Sequence, residues 1–259
     1  MNVLFLLAHH DDEYFVSARI RREVVDGNRV LVAYTTWGSA YGTSGDTRES
    51  ESLRALMTLG VAPGSVVLLG RQLEVADGYA AASSAKVLTR CREAFRDSAI
   101  ERLITVAWEG GHPDHDITHL VAKRLATDWQ VQDEFYEFPL YTAAGAPPPL
   151  FRVNRFSGDA GDTSHTRLGF RERVSAFMLA RCYPSQWKSF VGLLPEAAVR
   201  YLIQGQQQLR RVAAGAQDDR GQPARPHDGP LFYERRFNLS FESLVAEAAP
   251  LLVAASHAT

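Results

Sequence analysis

An open, mostly parallel α/β sheet with helices on both faces is the fold this sequence predicts. Three observations predict it. Short apolar runs alternate repeatedly with stretches of helical period, the pattern of strand–helix–strand units. The apolar runs are nearly continuous, as in strands buried on both faces. Two of them, at residues 3–7 and 102–107, lead at their carboxyl ends into imidazoles and carboxylates, where such sheets bind ligands.

The elements follow in order. Val3, Leu4, Phe5, Leu6 and Leu7 form a first buried strand. Val16, Ile20 and Val24 recur on one face of a helix over residues 13–25, which Asp26-Gly27 stops. Residues 29–35 form a second strand, and the Gly/Ser/Thr-rich residues 37–45 a loop at its end. Asp46 and Glu49 resemble a capping box for a helix that runs to Leu59 and stops at Gly60. Residues 66–69 give a third strand, residues 84–95 a third helix and residues 102–107 a fourth strand. Pro113 suits the first turn of a helix over residues 113–126, and residues 135–138 add a fifth strand.

Beyond Tyr141 the pattern loosens. Residues 143–149 and 157–169 read as loops, residues 170–182 and 197–212 as helices, and residues 214–230 as a polar connection. Residues 231–237 suggest an edge strand, and the tail from Phe241 a helix broken at Pro250. No internal repeat is present. At 259 residues the chain can form one large α/β domain or two small ones. The expectation is one domain over 1–259: a parallel core in 1–141, and loops, helices and an edge strand in 142–259 that complete the pocket.

Composition narrows the function. With 46% hydrophobic and 22% charged residues the chain is an ordinary globular one. A formal charge of −2 leaves no basic footprint for nucleic acid or an anionic membrane. No apolar run approaches the ~20 residues of a membrane span, and no signal peptide is read at Met1-Asn2, so a cytoplasmic location is the default. Cys91 and Cys182 are too few for a disulfide framework or thiolate metal site. No Gly-rich phosphate loop follows Leu7 or Thr35, which argues against nucleotide binding.

The chemistry gathers in two clusters. Ala8-His9-His10-Asp11-Asp12-Glu13 follows the first strand, and Gly110-Gly111-His112-Pro113-Asp114-His115-Asp116 follows the fourth. A single Asp-Asp at a helix start is usually a cap, and a single His-Pro-Asp-His a surface loop. At equivalent ends of neighbouring strands they become candidates for one metal site. His9, Asp12 and one of His112, His115 or His119 would supply the three protein ligands of a catalytic zinc, with Asp11 as an adjacent free carboxylate. His165 and His227 read as surface residues.

These residues resemble the PIG-L/LmbE-like deacetylases. The first cluster is similar to that family's Ala-His-Pro-Asp-Asp-Glu signature, and His112-Pro113-Asp114-His115 matches its second motif. Arg48, Glu51, Ala55, Leu59 and Gly60 follow a third spacing, and Tyr183-Pro184-Ser185-Gln186 a weaker fourth, so the resemblance covers roughly residues 1–190. It implies a Rossmann-like sheet and Zn2+ held by His9, Asp12 and His115. It implies Asp11 as general base toward the metal-bound water, and His112 as the group that stabilises the oxyanion and protonates the leaving amine. Asp114 would hold His112 charged and oriented, and Arg48 would reach sugar or phosphate-like groups.

Two departures stand out. His10 replaces the signature's proline, as a substrate contact, an outer support or neutral drift. Tyr14-Phe15-Val16-Ser17-Ala18 lacks the paired glycines common there, so bulkier side chains narrow the pocket or repack the helix. His10 and Arg48 join Trp37, Tyr41, Phe151 and Arg152 as expected substrate-facing groups.

The expected activity is zinc-dependent removal of an N-acyl group, acetyl first, from a small amino sugar or glycoconjugate. The rivals are an amidase for a thiol-sugar conjugate or a lipid- or peptide-bearing amide, and a degenerate sugar-binding module. Acceptor, acyl length and oligomeric state, a homo-oligomer included, stay open.

Overall fold

The computed structural model describes residues 1–39, 43–142, 151–156, 163–212 and 223–253. The amino-terminal part alternates as its sequence predicts: β1 (Asn2–Leu7), α1 (Ser17–Val25), β2 (Arg29–Tyr34), α2 (Gly45–Leu59), β3 (Val66–Leu68), α3 (Leu69–Gln72), α4 (Ala80–Ala94), β4 (Arg102–Val106), α5 (Pro113–Asp128) and β5 (Phe135–Phe138). A short pair, β6 (Tyr141–Thr142) with β7 (Arg152–Val153), stands apart. Then come β8 (Thr163–Arg167), α6 (Phe170–Met178), α7 (Trp187–Ala198), β9 (Gln206–Arg211), α8 (Phe232–Phe237), α9 (Phe241–Glu247) and α10 (Ala249–Val253).

Seven strands form one sheet in the order β3-β2-β1-β4-β5-β9-β8. The first five are parallel; β9 pairs antiparallel with β5, and β8 with β9. The chain steps outward from β1 in both directions, through β2 to β3 and through β4 to β5. The gap beyond the carboxyl ends of β1 and β4 is therefore the topological switch point where α/β sheets hold ligands. Leu6 pairs with Thr105, whose hydroxyl donates to the Leu6 carbonyl at 2.8 Å, so the two ends finish level.

The core explains the run of apolar residues in β1. Val3, Phe5 and Leu7 face the cluster built with α1, α2, α6 and α7, whereas Leu4 and Leu6 face the one built with α4 and α5. All five are fully buried, as a parallel strand covered on both faces requires.

The carboxyl-terminal part corrects three expectations. Residues 197–212 are helical only in their first half. A π-helical turn over Val199–Gln204 ends at Gly205 in the left-handed region (φ 62°), and β9 follows. Pairing with both β5 and β8 outweighs the poor strand propensity of Gln206-Gln207-Gln208. Residues 231–237 are a helix start rather than an edge strand, because Glu234 accepts the backbone N–H groups of Leu231 and Phe241 at 2.9 and 3.2 Å. The edge strand is β8, within the stretch expected as loop. No helix of the described residues is long and apolar enough to cross a membrane.

Removing the Phe5 side chain leaves a cavity in the middle of the sheet. Phe5→Ala is expected to cost about 3–5 kcal/mol of stability, read from the denaturant midpoint at constant slope.

Candidate metal centre

The two clusters meet at the switch point. His9 Nδ1 lies 3.0 Å from His115 Nε2, and Asp12 Oδ1 lies 3.3 Å from His115 Nε2 and 4.0 Å from His9 Nδ1. All three side chains are buried, and their facing atoms lie within 4.8 Å of one another.

Each is fixed by what holds its other end. Asp12 Oδ2 accepts the backbone N–H groups of Ala8 and His9, both at 2.9 Å, which leaves Oδ1 turned inward. His9 Nε2 sits 2.9 Å from Asp114 Oδ2. A carboxylate on the far nitrogen of a ligating imidazole fixes its tautomer and strengthens it as a ligand. His115 is carried on the first turn of α5.

The electrostatics fit a cation. Burial works against charge on His9, but Asp77, Asp114 and Asp12 outweigh it and raise the imidazole to about 9. Burial likewise opposes ionisation of Asp12, yet His115 and the backbone N–H of His9 bring its carboxyl down to about 2. The site thus draws positive charge to the point where the three donors converge. Nitrogen and carboxylate donors, buried and supported from behind with one open side, suit zinc.

Asp11 faces the same cavity from a strained backbone. Its φ of 129° is a region that favours glycine, so the surroundings must hold it there. Its N–H donates to Glu13 Oε2 at 3.1 Å, and Arg48 Nη2 approaches its Oδ1 at 3.4 Å. Glu13 is in turn fixed by the Tyr183 hydroxyl at 2.9 Å. Burial pushes the Asp11 carboxyl up to about 7 against the pull of Arg48; a cation on the three donors would pull it down again.

Several residues sit differently from what the motifs implied. Asp114 lies closer to His9 than to His112: its carboxylate goes to His9 and to the N–H groups of Gly78 and Ala80, and pairs with His112 Nδ1 only at 3.7 Å. His112 Nδ1 accepts the Asp114 backbone N–H at 3.2 Å. That contact places a proton on Nε2, and burial and then His9 push the imidazole down to about 3.

Arg48 lines the cavity, but its guanidinium is taken up by Asp77 (2.6 Å), the His10 carbonyl (2.8 Å) and Asp11. His10 lies behind the site, buried against Tyr34 with ring centroids 4.3 Å apart and outside the cavity walls. Gly38, at φ 78°, lets the chain pass against it, since a Cβ there would meet the His10 ring at 3.0 Å. Trp37 also lies outside the cavity walls, its indole against Gly45. Tyr41 falls outside the described residues. Phe151 lines the cavity, with Arg152 beside it on β7. His119 turns to the Val106 carbonyl at 3.0 Å, away from the donors.

The motifs gave no role to Asp77, which accepts from Thr36 Oγ1, the Gly38 N–H and Arg48. Its only sequence signal is the turn pair Asp77-Gly78. Tyr183 and Ser185 belong to the weak fourth motif. Ser185 donates from N and Oγ to Glu51 at 2.9 and 2.6 Å, which ties that motif to the third.

The cavity above the donors has a volume of about 530 Å3. Phe15 lines it from the segment without the expected glycines, while Tyr14 packs inward against Phe190 and Tyr201.

The family model for PIG-L, the GlcNAc-PI de-N-acetylases, matches residues 4–126. This stretch belongs to the PIG-L family. It contains both halves of the donor set together with Asp11, Arg48 and Asp77. No curated protein sequence matches the chain. Among solved structures, the PIG-L fold is shared with the zinc-inhibited form of the teicoplanin deacetylase Orf2 (TM-score 0.61, 17% identity, covering 83% of this chain and 100% of that one). It is shared with the N,N'-diacetylchitobiose deacetylase of Pyrococcus horikoshii (0.54, 16%, 81% and 82%). GalB of Pseudomonas putida, a 4-carboxy-2-hydroxymuconate hydratase, also has it (0.51, 15%, 83% and 98%).

Asp114→Asn removes the carboxylate behind His9 while keeping its shape. It is expected to weaken zinc binding about 10–100-fold in a chelator-competition titration.

Proposed function

We propose that this protein is a zinc-dependent amide hydrolase that removes an N-acetyl group from an amino-sugar substrate. One observation carries the reading: His9, Asp12 and His115 converge at the floor of a cavity that Asp11 and His112 also face. The PIG-L match over residues 4–126 and two deacetylases of the same fold support it. The hydratase of the same fold means that the residues, rather than the scaffold, must decide the reaction.

His9, Asp12 and His115 would hold Zn2+, which when bound supplies a Lewis acid that acidifies water and polarises a carbonyl. Asp11 takes the proton of the attacking water. It suits this task because its carboxylate meets the cavity and is braced by Arg48, while Glu13 holds its backbone N–H. His112 presents Nε2–H as a neutral donor to the oxygen that gains charge in the tetrahedral intermediate. A donor so placed contributes about 3–4 kcal/mol to such a step. The proton collected by Asp11 is then available to the departing amine, which leaves neutral while the acyl group leaves as the carboxylic acid and gives up its own proton to solvent. Asp114 touches no reacting atom and acts through His9 as a positioning residue.

The test is a screen of the zinc-loaded protein against N-acetylglucosaminides, thiol-sugar amides and peptide amides, following acetate and amine together. Acetate from the glucosaminides is the expected result; release from peptide amides alone would overturn the reading. Asp11→Asn is expected to retain zinc at the wild-type stoichiometry while kcat falls by roughly 10²–10⁴-fold.

A further inference from the structure

The walls of the cavity carry more information than its floor. Two tracks of aromatic rings lead away from the donor set. One runs from His115 to Tyr141 (5.9 Å between centroids), on to Phe151 (5.6 Å) and to Phe232 (5.5 Å). The other starts at His112 and meets Phe237 at 5.3 Å, with Leu239 beside it on the wall. Edge-on ring pairs of this kind form a rigid apolar surface. A volume of about 530 Å3 lies within the ~300–1,000 Å3 of sites that hold drug-sized ligands, and a single amino sugar would leave much of it unfilled.

The charges point the same way. Among the described residues that line the cavity, Arg48 is the one lysine or arginine. Both its terminal nitrogens are engaged, by Asp77, Asp11 and the carbonyls of His10 and Gly38, and its Nε, though without a partner, is buried. Asp11, Asp12 and Asp77 face the same space, so a divalent cation on the floor would leave no positive charge to spare. An anionic group on the substrate would meet desolvated carboxylates without a partner, at a cost. This sets aside the expectation that Arg48 reaches phosphate-like groups.

We infer that the substrate bears a neutral hydrophobic group, an alkyl or aryl aglycone, which lies along the rings of Tyr141, Phe151, Phe232 and Phe237. This rests on the amide-hydrolase reading only for the place of the sugar at the donor set.

Because product amines are not turned over, their binding tests the inference apart from the reaction. Calorimetry of the full chain, zinc-loaded and metal-free, would compare octyl glucosaminide, glucosamine and glucosamine 1-phosphate. The octyl compound is expected to bind about tenfold or more tightly than glucosamine, and the 1-phosphate no more tightly than glucosamine. Phe151→Ser and Phe237→Ser should each reduce the octyl advantage severalfold, with thermal melting to verify folding. Equal affinities for octyl glucosaminide and glucosamine, or tightest binding of the 1-phosphate, would overturn the inference. Tight octyl binding with no acetate from the N-acetyl counterpart would uphold it and sink the deacetylation reading instead.

Discussion

The site depends on one carboxylate doing two jobs. Asp12 closes the turn after β1 by accepting the N–H groups of Ala8 and His9 on Oδ2, and the same closure aims Oδ1 at His9 and His115. Backbone groups at the end of a buried strand need partners once the ladder stops. Here the partner is also a prospective ligand, so the geometry of the turn and that of the donor set are the same constraint. The level ends of β1 and β4 then bring His115 within reach.

Around that turn, buried carboxylates hold the remaining groups in place. Asp114 holds His9 and is held by Gly78 and Ala80; Asp77 holds Arg48, which holds Asp11 and the His10 carbonyl; Glu13 holds the Asp11 N–H and is held by Tyr183. Such polar networks are favourable only when their members are satisfied. This one stabilises Asp11 at a backbone angle that an unsupported aspartate would abandon. One of the supports, Tyr183, reaches in from beyond residue 126, and Ser185 close to it in sequence bonds to Glu51 of α2. The later part of the chain is therefore mechanically joined to the first motif.

The legible parts of the sequence were those with a strong local cause. Five parallel strands could be read because each is a short apolar run with a clear stop, and both ligand clusters because they follow such runs. The Asp114–His9 contact was not announced by the motif because neighbours in sequence need not be the closest partners in bonding: at a helix start the Asp114 side chain turns back toward β1, while its backbone N–H caps onto His112. Asp77 had no motif to announce it. Its place follows from α3, where Gly70 lies against the Thr36 backbone so closely that no Cβ would fit. Beyond Tyr141 the failures have two causes. β9 takes its form from Tyr136 and Glu137, partners distant in sequence that no local pattern reports, whereas α8 starts at a local cap, Glu234 on the Leu231 N–H, within a run whose apolar residues read as a strand.

This division has a consequence for how the fold can change its substrate. The donors, Asp11 and His112 stand on strand ends and first helical turns within residues 4–126, where a shift of one residue would dismantle the turn at Asp12. Tyr141, Phe151, Phe232 and Phe237 stand on a short strand pair, its flank and a six-residue helix, elements that bear little of the sheet's packing. Replacing those rings alters what the cavity accepts without moving the floor. Neutral, apolar walls above an acidic floor are compatible because the two are built from different segments. The floor must satisfy its charges whatever the substrate, whereas the walls need only match the surface of the group they cover.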